Sequence, residues 1–415
     1  MRKHIVIIGG GFGGLYAARG LAGKDVDVTL IDKRNFHLFQ PLLYQVATGG
    51  LSPGDIASPI RAVLADAPNI RVMQATLEEV NADARYVTAD KRRFEYDALI
   101  VATGVRHHYF GQDHWERHAG GLKTIEDALR LRKRIMNAFE RAEWAQSKEE
   151  RCAWQRFVIV GGGPTGVELA GALAELAYQT IVRDFRKIDP LQTEIHLVEA
   201  APDLLSAFPE NLTYKARKAL EKLKVHVHLS SRVTYLDDRC VRIQSEDTTR
   251  KLRARTVIWA AGVKASGVSA LLQQGAGAVT DNIGRVMVDD HCRLTTQPDI
   301  YVIGDLAHFK ADDGRPLPGV APVAMQQGRY VARFLLSKET KPFRYVDKGS
   351  LAVIGRKSAI ARIGSLNMSG WPAWLVWIFV HIAYLIEYDS KLKVMLQWAW
   401  NFFTRKRGAR LITDI

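Results

Sequence analysis

The chain has 415 residues, 47% of them hydrophobic and 25% charged, enough apolar material for two or three buried cores. Lys and Arg number 58 against 44 Asp and Glu, a formal net charge of +14. A basic chain can bind nucleic acid, but no RNA- or DNA-reading motif occurs here, so the excess falls to other anionic ligands and surfaces.

Met1-Arg-Lys-His precedes only four apolar residues before glycine, so no secretory signal and no N-terminal membrane span is expected. Those residues open the first informative element, Ile5-Val-Ile-Ile-Gly9-Gly-Gly11-Phe12-Gly13-Gly14. A buried strand runs into a G-x-G-x-x-G turn and then a helix, and Asp27-Val-Thr-Leu-Ile31 ends in Asp32. The glycines permit the tight turn, let a pyrophosphate approach the backbone and let the helix pack on the strand. The helix N-terminus then offers free N–H groups and a positive dipole end.

Asp97-Ala-Leu-Ile-Val-Ala-Thr103-Gly104 reads as a further strand of the same unit, and the polar stretch Ala142 to Arg156 reads as a connection. The fingerprint then returns as Phe157-Val-Ile-Val-Gly161-Gly-Gly163-Pro-Thr-Gly166. Ile195-His-Leu-Val ends in Glu199, and Thr256-Val-Ile-Trp-Ala-Ala-Gly262 repeats the later strand. Gly9 to Gly104 spans 95 residues and Gly161 to Gly262 spans 101, so two units of similar length are present. Glu199 lies 33 residues after Gly166, beyond the usual spacing, and Tyr178 to Thr193 is read as an insertion that accounts for it. Ile300-Tyr-Val-Ile-Gly304-Asp305 is one more short apolar strand. A chain that binds two dinucleotides is expected to move electrons between them.

The three cysteines, Cys152, Cys240 and Cys292, form no C-x-x-C or C-x-x-x-x-C pair. A disulfide reductase passes electrons through a close thiol pair, so the acceptor here is expected to be something else. Unpaired thiols in a reducing cytosol are the simpler account of all three, and no metal site is expected.

The end of the chain turns apolar. Trp371 to Ile386 holds sixteen residues without formal charge, short of the ~20 a spanning helix needs, which reads as an interfacial or buried helix. In the next segment Ser390, Lys393, Gln397, Asn401 and Thr404 form one polar stripe at helical spacing among apolar residues. Five tryptophans (Trp371, Trp374, Trp377, Trp398, Trp400), followed by Arg405-Lys-Arg407 and Arg410, suit an anionic membrane surface. A core helix pair or a dimer interface is the alternative. The tail from about Phe343 onward is expected to be dispensable for reduction of a bound flavin.

The order of these elements resembles the flavoproteins with two dinucleotide-binding domains. The runs Asn35-Phe-His-Leu-Phe-Gln-Pro-Leu-Leu-Tyr-Gln-Val-Ala-Thr-Gly-Gly-Leu-Ser-Pro53 and Gly163-Pro-Thr-Gly-Val-Glu168-Leu-Ala-Gly171, with the Trp-rich tail, narrow the likeness to type II NADH:quinone oxidoreductases over nearly the whole chain. The resemblance implies an α/β fold with two Rossmann-like domains, for FAD and NAD, plus a C-terminal amphipathic-helix membrane anchor. It divides the chain into 1–118 (FAD-binding, first part), 119–265 (NAD-binding), 266–340 (FAD-binding, second part) and 341–415 (membrane-anchoring).

The resemblance further implies hydride transfer from NADH to FAD, then two electrons to a membrane quinone, ubiquinone or menaquinone, without proton pumping. Its FAD- and NAD-binding residues fall on Gly9, Gly11, Phe12, Gly13, Gly14, Asp32, Thr48, Thr103, Gly104, Asp305 and Ala324, and on Gly161, Gly163, Gly166, Glu199 and Gly262. Glu199 would repel a 2′-phosphate, and Ala200-Ala-Pro-Asp203 offers no cation to neutralise one, so NADH is favoured over NADPH. Glu168 and Gln326 are the catalytic candidates, with a solvated helix position as the bland alternative for Glu168. His37 and Tyr44 are read as packing residues. Many members carry Ala-Gln-x-Ala-x-Gln where this chain has Ala321-Pro322-Val-Ala324-Met-Gln326-Gln327, so Pro322 replaces one glutamine. A peripheral protein on the cytoplasmic face of the inner membrane follows, with a homodimer left open. Sulfide:quinone oxidoreductase, a soluble reductase of a ferredoxin-like acceptor and a non-catalytic redox-sensing binder are the alternatives.

Overall fold

The structure is a computed structural model and describes residues 2–386, 388–404 and 407–412. The chain forms two compact units, each assembled from three separate stretches. Met1–Leu38, Ala57–Arg106 and Val263–Asp347 make the first, and Phe39–Ile56, His107–Gly262 and Lys348–Ile415 make the second.

The first unit is built on a five-stranded parallel sheet in the order Ile300–Val302, Ala98–Val101, Lys3–Ile8, Val26–Asp32, Ile70–Gln74. The central strand buries four consecutive apolar residues, Ile5 to Ile8, because a parallel sheet is covered on both faces. On one face Val6, Ile8, Leu99 and Val101 pack with Val80 and Val87 of a three-stranded sheet (Leu77–Asn81, Tyr86–Ala89, Arg92–Glu95) and Leu272 of the helix Val268–Ala276. The helices Phe12–Leu21 and Ala321–Leu335 lie close together: a Cβ on Gly328 would come within 2.3 Å of the Gly13 carbonyl oxygen.

The second unit repeats the plan. Its parallel sheet runs Ala119–Gly121, Thr256–Trp259, Arg156–Val160, Glu194–Val198, Val225–His228, and a three-stranded sheet again packs beside it through Leu236, Val241 and Ile243. The stretch read as an insertion folds into a π-helical turn, Leu176–Thr180, then turns and the 3-10 turn Pro190–Gln192.

Within this unit the antiparallel sheet Ser350–Gly355, Ser358–Ile363, Leu366–Gly370 covers the helix Pro164–Glu175. The approach is so close that a Cβ on Gly171 would lie 1.6 Å from the Ile354 carbonyl oxygen. The helices Trp371–Tyr384 and Tyr388–Thr404 follow, and among the described residues no helix is long and apolar enough to cross a membrane.

Candidate nucleotide turns and an amphiphilic cavity

Both glycine turns have one geometry. Gly9 and Gly161 adopt positive φ, +101° and +110°, where a side chain would be strained. Gly10 N–H donates to Asp32 Oδ2 at 2.6 Å, and Gly162 N–H donates to Glu199 Oε2 at 2.5 Å. Each acidic strand end therefore ties down the middle glycine of its own turn. A Cβ on Gly14 would meet the Gly9 carbonyl oxygen at 1.8 Å, and one on Gly166 the Gly161 oxygen at 1.8 Å, so the third glycine serves helix packing. A Cβ on Gly11 or Gly163 would meet nothing within 4 Å. The ground a pyrophosphate needs is open at both turns, beside a helix N-terminus in each case, and the residues present fit a dinucleotide.

The other first-turn candidates lie in the first unit. Phe12 packs edge-on against His37, whose Nδ1 lies 3.0 Å from the Gly10 carbonyl. Burial lowers the His37 pKa to about 4, so the ring is neutral and donates to that carbonyl, a packing role that matches its reading. Gly13 abuts Ile303, and the Thr103 hydroxyl pairs with that of Ser266 at 2.7 Å. Gly104 and Gly262 end equivalent strands at φ +67° each. Asp305 stands in the 3-10 turn Gly304–Leu306, held by Gln327 Oε1, which accepts from Gly304 N–H at 2.7 Å. Ala324 lies against that turn, facing Gly304.

Pro322 sits in the first turn of its helix, where the lost N–H costs nothing. Gln326, expected to be catalytic, has its amide committed at both ends to the Val346 backbone, at 2.9 and 3.0 Å.

The second unit holds a cavity of about 400 Å³. Glu168 and Glu175 reach it from the helix Pro164–Glu175, Tyr44, Gln45 and Thr48 from the Leu43–Ala47 region, and Trp374, Trp377, Ile378, Ile382, Met395 and Trp398 from the tail helices. Its lining mixes acidic, amide and hydroxyl groups with aromatic and aliphatic ones. Glu168 is buried, not solvated, and burial raises its pKa to about 8 against modest opposition from Val353 N–H and the Trp377 indole. Trp377 Nε1 makes no hydrogen bond of normal geometry. Thr48, expected at a cofactor, is buried on this wall, its hydroxyl donating to the Tyr44 carbonyl at 3.0 Å.

The tail departs from its reading in three ways. Part of its polar stripe faces the protein: Asn401 donates to the Gly50 carbonyl at 3.1 Å and Gln397 to Asn401 at 3.1 Å, while Lys393 of the same stripe is exposed, as are Leu396, Trp400 and Phe403, and the Ser390 side chain lies outside the described residues. Of the five tryptophans, Trp371 and Trp400 are exposed, whereas Trp374, Trp377 and Trp398 line the cavity. Arg407 does not face headgroups. It donates to Glu175 at 3.2 Å, to the Ala172 carbonyl at 3.0 Å and to the Thr48 carbonyl at 3.2 Å, and Arg410 pairs with Asp184. The Glu175 carboxylate and the Thr48 carbonyl, which its own short helix leaves open, draw the Arg407 guanidinium inward. Arg405 and Lys406 lie outside the described residues.

The residues that sequence reasoning missed are Tyr44 and Gln45 as cavity groups, and Glu175 with its partner Arg407. The seven-residue spacing of Glu168 and Glu175, two helical turns on one face, was the available signal. The cysteines supply no thiol relay: Cys240 and Cys292 are buried with thiols pushed up by burial, and Cys152 is exposed on the short helix Lys148–Trp154.

Residues 3–328 match the pyridine nucleotide-disulphide oxidoreductase family. A type II NADH:quinone oxidoreductase of Mycobacterium tuberculosis is 41% identical over 425 residues, covering 100% of this chain and 91% of that protein. The solved structure of NDH2 from Plasmodium falciparum in complex with NADH has a TM-score of 0.90 at 21% identity, with 100% of both chains covered. The sulfide:quinone oxidoreductase of Aquifex aeolicus, at a TM-score of 0.74 and 18% identity over 97% of this chain and 96% of that one, shares the fold. With duplicated nucleotide turns, no close thiol pair and this full-length identity, the chain belongs to the type II NADH:quinone oxidoreductases, a branch of the pyridine nucleotide-disulphide oxidoreductase family.

Proposed function

We propose that this chain oxidises NADH and reduces a membrane quinone to quinol, with FAD on the first glycine turn and NADH on the second. The observation that carries the reading is the duplicated bond from acid to glycine, Asp32 to Gly10 and Glu199 to Gly162, on two parallel sheets of matching order. When bound, FAD supplies the redox chemistry, taking hydride from NADH and giving two electrons to the quinone. Gly9, Gly11, Phe12, Gly13, Gly14 and Asp32 hold its adenosine and pyrophosphate, and Thr103, Gly104, Asp305 and Ala324 the remainder. Gly161, Gly163, Gly166 and Gly262 frame the nicotinamide nucleotide. Glu199 accepts from the ribose hydroxyls and repels a 2′-phosphate.

The amphiphilic cavity of the second unit suits a quinone: a flat ring bearing oxygens on an apolar stem. Glu168, with a pKa near 8, carries its proton at neutral pH and stands in this cavity as a proton donor. Trp371, Leu375, Phe379, Leu396, Trp400 and Phe403 form an exposed apolar surface on the tail helices. Such a face, on helices too short to cross, rests in the interfacial layer of a bilayer, at the cytoplasmic face of the inner membrane, where quinone partitions.

The experiment is anaerobic spectroscopy of the purified protein. A flavin band that bleaches on NADH and returns on quinone is expected. A band that ignores NADH overturns the hydride step, and one that stays bleached with quinone overturns the acceptor.

A further inference from the structure

Gln40–Leu42 forms a short 3-10 turn that runs into the helix Leu43–Ala47, and this helix presents Tyr44 and Gln45 to the cavity. The buried Tyr44 hydroxyl accepts from Gln45 Nε2 at 3.0 Å, and Gln45 Oε1 accepts from Trp398 Nε1 at 2.8 Å. An indole N–H only donates, so Trp398 decides which end of the Gln45 amide faces it and turns the NH₂ toward Tyr44. The tyrosine oxygen is thereby an acceptor already, and its own O–H has no acceptor among the described residues. A buried donor left without a partner is costly unless a ligand supplies one.

The group stays a donor. Burial and the neighbouring Glu168 carboxyl hold the Tyr44 pKa well above its ordinary value, so it does not ionise. Trp374, Ile378, Ile382 and Met395 also line the cavity and accept a flat apolar body, while Glu168, Glu175, Gln179 and Thr180 of the same lining make no hydrogen bond to the Tyr44 hydroxyl. The missing partner is therefore an acceptor oxygen on an otherwise apolar ring.

We propose that Tyr44 donates its hydroxyl hydrogen bond to a carbonyl oxygen of the quinone, with Gln45 and Trp398 as positioning residues that aim it. The proposal rests on the reading that this cavity receives the quinone. Tyr44 polarises the carbonyl and keeps its own proton. Because Trp398 belongs to the tail helix Tyr388–Thr404, two hydrogen bonds link that helix to the Tyr44 hydroxyl, and the proposed third links it to the substrate oxygen. The contribution of the tail to quinone binding is then polar and specific as well as apolar.

The test uses the FAD-loaded full chain and a short-chain ubiquinone with one isoprene unit. Tryptophan quenching reports binding directly, since Trp374, Trp377 and Trp398 line the cavity, and flavin content and Tm check folding. Y44F should raise the quinone Kd and KM about tenfold, the loss of one hydrogen bond. W398F should raise both by about threefold, and the double variant should bind no worse than Y44F alone, because Trp398 acts only through the hydroxyl. An unchanged Kd in Y44F overturns the proposal, as does a W398F effect that persists at full size in the Y44F background. If Y44F does not fold, W398F and Gln45→Leu carry the test, and unchanged binding in both overturns it. Quinone that fails to quench the wild-type protein overturns the cavity reading itself. Equal quenching of wild type and Y44F removes Tyr44 and leaves the cavity reading standing.

Discussion

Glu168 Oε1 lies 3.4 Å from the backbone nitrogen of Val353, and this long contact is the carboxyl's one hydrogen bond of normal geometry among the described residues. The strand Ser350–Gly355 has closed over an acidic side chain that pairs with no cation among the described residues. The cost of burying a charge then falls on protonation, which is why the pKa rises to about 8.

The sign of the resulting pH dependence is definite. The folded protein holds the Glu168 proton up to about pH 8, the unfolded chain only to its ordinary 4.5. Its contribution to stability is full below about 4.5 and is lost as pH rises through 8. Glu168→Gln should gain on wild type in stability between pH 6 and pH 9, by on the order of a few kcal/mol at the upper end, read as a rising difference in Tm. The same variant should slow one half-reaction in stopped-flow while retaining FAD and NADH. Thermal melts with a constant offset across that range, and traces identical to wild type, would return Glu168 to packing.

Glu199 braces its own turn by accepting from Gly162 and Ala201 N–H groups, and the proposed reading has it also repel a 2′-phosphate. Glu199→Ala is expected to weaken NADH several-fold and narrow the NADH/NADPH ratio of kcat/KM, and Glu199→Arg to narrow it further. Steady-state kinetics with both nucleotides decide. Unaltered KM values for both would mean that Glu199 is not the ribose ligand.

Replacing Cys152, Cys240 and Cys292 with serine should leave NADH:quinone turnover largely intact. The cost is structural and comes mostly from Cys292, which is 0% exposed, so a buried hydroxyl there lowers stability by about 1–2 kcal/mol. Loss of turnover with FAD retained would revive a thiol route.

Arg407→Met should act on stability and not on lipid. Removing the guanidinium leaves the Thr48 carbonyl short of a donor and Glu175 short of a cation, at a cost of about 3–5 kcal/mol. Chemical denaturation reads this directly. Lower affinity for anionic vesicles at unchanged stability would restore Arg407 to the lipid surface.

Truncation near Phe343 is a poorer test of membrane docking than the sequence suggests, because it strips the sheet that covers Gly171 and Glu168. Substituting serine at Phe379, Trp400 and Phe403 removes exposed apolar surface alone. Liposome co-sedimentation should fall at least about tenfold with FAD content unchanged. Undiminished sedimentation would place the membrane contact elsewhere.

Local rules were enough for the two nucleotide turns. A glycine at positive φ, a glycine where a helix meets a strand and an acid at a strand end each answer to a constraint within a few residues or a single strand pairing. Gly9, Gly14 and Asp32, and their counterparts Gly161, Gly166 and Glu199, could therefore be named from spacing. The absence of a thiol pair was equally plain in one dimension. The helical period also showed that the tail has a polar stripe, but a period does not say which face turns inward. That was decided by Gln45 and Gly50, some 350 residues earlier, which offer hydrogen bonds to Trp398 and Asn401. Glu168 is acidic and Arg407 basic in any reading of the chain. Only tertiary packing buried one without a cation and paired the other with Glu175, because desolvation depends on what closes over a side chain, not on its neighbours in sequence.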